Sequence, residues 1–220
     1  MPFFFAEREG DRAIIRGSDA SHLARSLRAQ PGEEIQVVDP KGSVLTVRIE
    51  TVSMSLIAGH IVAEEEHRPE PGRQVVVAIS QLPATSLDLV LSRCTEVGAS
   101  AFHIVQADRS VARAGKHERW QTIVREAAML AGRLRVPVIA GPSPLAEVLR
   151  EQPHPVMLVR GATTPLSAMP RDDDVTLLVG PEGGWTEREL AMAPARASLG
   201  PRNLRADTAA LVATTIAVGD

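Results

Sequence analysis

The alternation of apolar and polar positions changes character near residue 70. Before that point, short alternating runs predict strands at residues 12–15, 34–38, 44–50 and 56–63. Between the first two runs, Ser18 begins a helical pattern that we expect to extend to residue 29 and to stop at Pro31 and Gly32. A strand, a helix and several further strands predict a small β-barrel over residues 1–70.

A charged segment with two prolines, residues 64–72, predicts a linker to a second domain at residues 71–220. In this second region, short apolar runs alternate with helical periodicity, which is typical of a parallel sheet covered by helices. The expected strands are residues 75–79, 102–105, 136–139, 156–159 and 175–179. The expected helices are residues 85–97, capped by Thr85 and stopped by Gly98, and residues 116–134, 144–150 and 207–218.

Two glycine-containing loops follow the last strands. Residues 180–184 read Gly-Pro-Glu-Gly-Gly, after which Thr186 and Glu189 have the spacing of a capping box. A second loop, residues 198–205, joins an apolar stretch to the last helix. Glycine lets main-chain groups approach a ligand closely, and a helix N-terminus favours negative charge, so one nucleotide-like ligand fits both loops. Turns that need glycine only for positive φ are the alternative.

Together, the two loops resemble the C-terminal signature of the ribosomal RNA small subunit methyltransferase E family, which belongs to the SPOUT, or α/β-knot, methyltransferases. The matching segments are Leu-Val-Gly-Pro-Glu-Gly-Gly at residues 178–184 and Leu-Gly-Pro-Arg-Asn-Leu-Arg at residues 199–205. Similarity at residues 22–33, 94–98 and 125–133 extends the match over nearly the whole chain. The resemblance implies an α/β fold with a C-terminal trefoil-knot (SPOUT) domain and an N-terminal PUA-like β-barrel that holds RNA.

The resemblance also implies a reaction. Members of that family transfer the methyl group of S-adenosylmethionine to N3 of a uridine in 16S ribosomal RNA. The expected partners are therefore 16S rRNA or the small ribosomal subunit, together with a second copy of the chain in a homodimer. In the family, the loops of the knot bind the cofactor. The corresponding residues here are Val159, Leu178, Gly180, Gly183, Leu199, Gly200, Pro201, Asn203 and Leu204.

Uridine N3 carries a proton at neutral pH, so its methylation calls for a base or for stabilisation of negative charge on the flanking carbonyl oxygens. Glu182 and Asp207 are the candidate bases. Arg202 and Arg205 are the candidates for stabilising charge. Capping roles remain open for both carboxylates, with Asp207 as the N-cap of the last helix.

Basic residues concentrate at residues 107–135, where seven basic side chains face three acidic ones. Forked guanidinium groups suit phosphate, although a general preference for arginine would give the same composition. The seven are Arg109, Arg113, Lys116, Arg119, Arg125, Arg133 and Arg135. Helical spacing places Arg119, Arg125 and Arg133 near the surface.

The residues that we expect to face RNA are His22, Arg25, Arg28, Arg109 and Arg133. The first three lie in a segment similar to the family's His-x-x-x-x-Leu-Arg sequence. For these three, a solvated amphipathic helix is the alternative.

Charge and residue composition exclude several kinds of binding partner. The net charge of −3 argues against indiscriminate binding of nucleic acid. The chain has no run of about 18 uninterrupted apolar residues and no secretory signal at its start, so we expect a cytoplasmic protein without a membrane partner. The single cysteine, Cys94, lies among apolar residues and predicts a buried thiol. The histidines lack the spacing of metal ligands, which disfavours a metal enzyme.

The chain departs from the family pattern at four places. Leu130 stands for the usual Gln, Ala84-Thr85 for Lys-Gly, Asn203 for an aliphatic residue, and Ala206-Asp207 for Thr-Glu. A SPOUT methyltransferase of another RNA site, such as a ribose 2′-O, therefore stays open, as does a non-catalytic RNA-binding protein. A Rossmann-type enzyme would carry its glycine-rich turn after the first strand, whereas these turns come at the end of the chain.

Overall fold

A computed structural model describes residues 3–110, 117–170 and 172–219. Its contacts divide the chain into two compact units. The first comprises Met1–Glu70 and Ala128–Arg135, and the second comprises Pro71–Ala127 and Val136–Asp220. Arg113 and Lys116 of the expected basic patch lie outside the described residues.

The first unit is a barrel-like sheet with one helix. Its elements are β1 (Phe4–Phe5), β2 (Glu7–Glu9), β3 (Arg12–Arg16), α1 (Gly17–Arg25), β4 (Glu34–Asp39), β5 (Ser43–Val52) and β6 (Leu56–Glu66). The strand order is β1-β4-β5-β6-β3-β2, and only the β1–β4 pair is parallel. Alternate residues such as Ile15, Leu45 and Ile57 point into one apolar core. The expected PUA-like barrel is confirmed.

Helix α1 differs from the prediction at both ends. It begins at Gly17, whose φ of 64° turns the chain directly out of β3. Arg16 is its N-cap, and the Arg16 side chain makes no capping hydrogen bond. It ends at Arg25, because the Ala29 N–H donates to the Leu23 carbonyl and Arg28 takes the left-handed conformation, with φ 54°. The predicted cap at Ser18 and stop at Pro31 are therefore wrong.

The second unit alternates strands and helices. Its strands are β7 (Val75–Ser80), β8 (Ala101–Gln106), β9 (Val138–Pro144), β10 (Pro155–Leu158), β11 (Val175–Val179) and β12 (Ala195–Ala197). Its helices are α2 (Ala84–Glu96), α3 (His117–Leu130, which ends in the first unit), α4 (Leu145–Glu151), α5 (Glu187–Met192) and α6 (Ala206–Val218). The strands form one parallel sheet in the order β12-β10-β11-β7-β8-β9, as the alternating pattern predicted.

Both faces of this sheet are covered, which explains why β7 and β11 are buried along their whole length and are mostly apolar. Ile79 and Ile104 pack against α2, α3 and α6 on one face. Leu178 and Val105 pack against α4 and α5 on the other. Among the described residues, no helix is long and apolar enough to cross a membrane.

Several local predictions have a definite outcome. Gly98, with φ 112°, follows α2 as expected, but the helix begins at Ala84 with Pro83 as its N-cap, so the predicted cap at Thr85 is wrong. Cys94 is buried as expected, and burial raises the pKa of its thiol to about 12. Strand β12 has only three residues and was not predicted, because so short a run lacks a readable period.

The expected surface position of Arg133 is also wrong. Its side chain is only 3% exposed, and its guanidinium group forms an ion pair with Glu70. The other Glu70 oxygen accepts the main-chain N–H groups of Leu134 and Arg135. Helix α3 has already ended at Leu130, so helical periodicity no longer sets the direction of residue 133. Arg133 thus fastens its own segment within the first unit and is withdrawn from the RNA-facing set.

Candidate active site

A cavity of about 530 Å³ opens at the carboxyl ends of β10, β11 and β12. Three segments of the second unit form its walls, namely residues 158–160, 179–185 and 199–206. Ligands bind at this edge of parallel sheets because the strand-to-helix loops converge there. We call residues 180–186 loop A and residues 199–205 loop B.

Loop A is held by its own neighbours. A Cβ atom at Gly180 would lie 2.8 Å from Cε2 of Trp185, so only glycine fits beneath the indole. The indole N–H donates to the Leu158 carbonyl over 3.2 Å. The predicted capping box is confirmed, since the Thr186 hydroxyl accepts the Glu189 N–H and the Glu189 carboxylate accepts the Thr186 N–H. The loop therefore presents a preformed wall to the cavity.

The segment after β8 reinforces loop A. Arg109 Nη1 donates to the Gly183 carbonyl over 2.9 Å, and Asp108 receives hydrogen bonds from Arg188 and Thr186. These hydrogen bonds, first that of Arg188 and then that of Thr186, lower the pKa of the Asp108 carboxyl. Asp108 is therefore ionised at neutral pH.

Loop B is built differently. Gly200 has a φ of 99°, a conformation that favours glycine, and Arg202, Asn203 and Arg205 are exposed. Within the part of the chain that the structure describes, the main-chain groups of residues 199–204 form no hydrogen bond. Polar groups of this kind at a cavity wall are available to a ligand.

Three arginines line the cavity without a side-chain partner in the described structure. Arg160, Arg202 and Arg205 line it, are exposed, and have no ion pair or side-chain hydrogen bond among residues 3–110, 117–170 and 172–219. Arg119 and Arg188, by contrast, bind Asp88 and Asp108. The cavity lining thus holds three arginines that form no ion pair in the described structure, together with the Glu182 carboxylate.

The structure brings most of the predicted site residues together. Seven of the expected cofactor residues line the cavity: Val159, Gly180, Gly183, Leu199, Gly200, Asn203 and Leu204. Glu182, Arg202 and Arg205 of the expected catalytic set line it as well. The other two expected cofactor residues do not line the cavity: Leu178 is fully buried in β11, and Pro201 is exposed.

Asp207 is not part of the cavity lining either. Arg205 is the N-cap of α6, so the alternative that Asp207 caps this helix is wrong. Asp207 lies in the first turn, where its carboxylate accepts the Thr208 N–H over 2.6 Å. A carboxylate at that position is also stabilised by the positive N-terminal end of the helix dipole.

Sequence reasoning missed Arg160 and Trp185. Arg160 follows β10 closely, and the rule that sites form at the carboxyl ends of parallel strands would have selected it. Trp185 has no sequence signal, because its role depends on the space above Gly180.

The residues at the cavity fit S-adenosylmethionine. Leu158, Val159 and Leu204 offer apolar surface for a nucleoside base, and loop B offers unpaired main-chain donors and acceptors for its polar edge. The Glu182 carboxylate complements a sulfonium charge, and the arginines complement a carboxylate.

Two sets of basic residues in the first unit differ in their pairing. On the sheet and just after it, Arg8, Arg12, Arg16, Arg48 and Arg68 each form an ion pair with a glutamate. His22, Arg25 and Arg28, on and after α1, are exposed, and none of them has an ion pair with any residue that the structure describes. Arg25 and Arg28 thus place positive charge that is available for phosphate beside α1.

Comparison with known proteins agrees with this geometry. Residues 68–218 match the RNA methyltransferase domain family, and residues 15–53 match the RNA methyltransferase PUA domain. The fold and the site thus define an RNA methyltransferase of the SPOUT class, as the sequence predicted.

Individual relatives define the family further. The chain is 31% identical to ribosomal RNA small subunit methyltransferase E of Mycobacterium tuberculosis, over 93% of this chain and 85% of that one. The Synechocystis enzyme of the same name is also 31% identical, over 87% and 68%. The Neisseria gonorrhoeae enzyme, solved bound to S-adenosyl methionine, has a TM-score of 0.87 at 28% identity, with coverage of 97% and 95%. The chain belongs to the ribosomal RNA small subunit methyltransferase E family.

Proposed function

We propose that this protein methylates N3 of a uridine in 16S ribosomal RNA, with S-adenosylmethionine bound in the cavity between loops A and B. The observation that carries the proposal is the composition of that cavity. One wall is preformed, the other offers main-chain groups that are unpaired in the described structure, and three arginines without an ion pair among the described residues line the same cavity. Because the substrate is ribosomal RNA, we expect the protein to act in the cytoplasm.

When bound, S-adenosylmethionine supplies an electrophilic methyl group. The task left to the protein is to hold the uridine in line with it and to manage the N3 proton. Glu182 is the better candidate base, because it lines the cavity and Asp207 does not. Arg202 and Arg205 would stabilise the charge that develops on the carbonyl oxygens beside N3.

Uridine N3 lies on the Watson–Crick edge, so the target base must be unpaired or flipped out when it reacts. The strand on either side of it needs a separate grip. Arg25 and Arg28 suit this role, because no carboxylate of the described residues neutralises their charges, and His22 lies exposed beside them on α1. We therefore assign RNA binding mainly to the first unit and chemistry to the second.

A homodimer completes the proposal. Helix α6 turns its small residues Ala210, Ala213 and Ala217 inward, while Leu211 and Val212 remain half-exposed. Leu89 of α2, the helix that packs against α6, is 50% exposed. Apolar side chains left uncovered on two packed helices favour an interface between copies of the chain. Light scattering at micromolar concentration should give twice the monomer mass, and a monomer would contradict this part of the proposal.

Nucleoside analysis tests the activity. The purified protein, S-adenosylmethionine and unmodified 16S rRNA or small subunits should yield 3-methyluridine, and heat-denatured protein should yield none. A ribose-methylated nucleoside would support the alternative SPOUT activity. Binding of RNA without any binding of the cofactor would support a non-catalytic RNA-binding protein.

A further inference from the structure

The segment that follows β8, Ala107 to Ser110, contacts loop A at two points through adjacent residues, Asp108 at Thr186 and Arg109 at Gly183. We call Asp108 and Arg109 the clasp. Sequence reasoning assigned Arg109 to RNA because of its charge and its place in a basic patch. The contacts of its side chain indicate another role.

Arg109 lies directly against Gly183. Its Nη1 donates to the Gly183 carbonyl over 2.9 Å. A Cβ atom built on Gly183 would approach Cβ of Arg109 to 3.3 Å and Cδ to 3.5 Å. A side chain at position 183 would therefore crowd the arginine stem, which would have to move by a few tenths of an ångström, while the arginine head group holds the Gly183 carbonyl.

Asp108 holds the end of the same loop. Its main-chain N–H donates to Oε1 of Glu189 over 2.8 Å, and its Oδ2 lies 2.8 Å from the Thr186 hydroxyl. Arg188 pairs with the Asp108 carboxylate from outside. Glu189 is only 1% exposed, so its hydrogen bonds are shielded from water and the N-terminus of α5 is fixed against the β8 segment.

We infer that Asp108 and Arg109 are positioning residues that hold loop A in its ligand-binding shape, and that Arg109 acts on the cofactor pocket and not on RNA phosphate. This inference rests on the proposed function, since it assumes that the cavity binds the cofactor. It also gives Gly183 a local role, since a Cβ atom at this position would crowd the arginine stem packed against it. The clasp touches loop A and does not line the cavity.

The test measures binding by two ligands to the folded full chain. Calorimetry with S-adenosylhomocysteine reports on the pocket, and RNA affinity against salt concentration counts phosphate contacts. The variants are Arg109→Ala, Arg109→Lys and the matched control Arg150→Ala, which removes an exposed, ion-paired arginine from α4 away from the cavity. We expect Arg109→Ala to weaken S-adenosylhomocysteine binding about tenfold, Arg109→Lys to restore part of it, and the control to match the parent.

A double variant sharpens the result. Gly183→Ala alone should weaken S-adenosylhomocysteine binding, and the loss should shrink when Arg109→Gly removes the side chain that the new methyl group would meet. A phosphate contact would instead lower the slope of log affinity against log salt by about 0.7 in Arg109→Ala. That slope change with unchanged S-adenosylhomocysteine affinity would overturn the inference. If the parent protein itself bound no S-adenosylhomocysteine, the proposed function would fail.

Discussion

Loops A and B face the same cavity but are held in opposite ways. Loop A is fixed by the Trp185 indole, by the capping box of α5 and by Arg109. Loop B has unpaired main-chain groups over residues 199–204 in the described structure and exposes two arginines. A preorganised wall lowers the entropy lost on binding, and unpaired polar groups provide recognition. One loop thus gives the pocket its shape, and the other provides the groups that recognise the ligand.

Replacing Arg202 tests the role of loop B most severely. Arg202→Ala should lower the single-turnover methylation rate on saturating RNA about 100-fold, because a charge that stabilises the developing anion acts in the transition state. Cofactor affinity should change much less. The control is the double variant Arg25→Ala and Arg28→Ala in the first unit, which should weaken RNA binding and lower its salt slope by about 1.4. Methylation by Arg202→Ala at the parental rate would remove this role of loop B.

Glu189→Gln should loosen loop A. The buried carboxylate accepts the main-chain N–H groups of Asp108 and Thr186, each over 2.8 Å, and an amide has only one oxygen to accept them. We expect the free energy of unfolding in urea to fall by about 2 kcal/mol. Glu187→Gln, an exposed neighbour on the same helix, should unfold like the parent. Equal unfolding midpoints for both variants would show that the capping box does not stabilise loop A.

Gly180→Ala tests whether loop A can change its conformation without loss of ligand binding. Its new methyl group would lie 2.8 Å from Cε2 of Trp185, so the indole or the loop must move. We expect S-adenosylhomocysteine affinity to fall about tenfold. Gly72→Ala is the control, because a Cβ atom there would meet nothing within 4 Å, that glycine has no left-handed φ, and it does not line the cavity. An unchanged affinity in Gly180→Ala would mean that the wall is more adaptable than its contacts indicate.

We expect the smallest effect from His103 on β8, which should make the stability of the protein depend on pH. Its ring is 5% exposed, and within the described residues neither ring nitrogen has a hydrogen-bond partner. Burial lowers the pKa of His103, and the nearby charges of Glu147 and Glu151 oppose this shift. The unfolded chain therefore takes up the proton first, so stability declines as pH falls below about 6.5 and stops declining once the folded ring is protonated.

Urea titrations at several pH values check this expectation. The parent should lose stability between pH 7 and pH 5, and His103→Leu should lose less over the same range. Parallel pH profiles for the two proteins would exclude His103 as the source of the dependence.

Regular elements were readable from the sequence because their patterns are local. The predicted bounds of β11 agree with the structure, and those of α6 differ by one residue at the start. The capping box at Thr186 was readable for the same reason, since its partners are three residues apart. The first residues of α1 and α2 were not readable, because their N-caps, Arg16 and Pro83, make no capping side-chain hydrogen bond.

The sequence alone determined the class of the protein, through two loops whose residues are close in the chain and match a known signature. Tertiary structure decided which charges are available. Arg133 and Arg202 look alike in a composition count, yet Glu70 pairs with the first, while the second faces the cavity with no partner in the described structure. The Arg109 side chain contacts loop A because it donates a hydrogen bond to the carbonyl of Gly183, a residue distant in sequence. The free energy of a charge depends on its neighbours in space, and only the fold determines those.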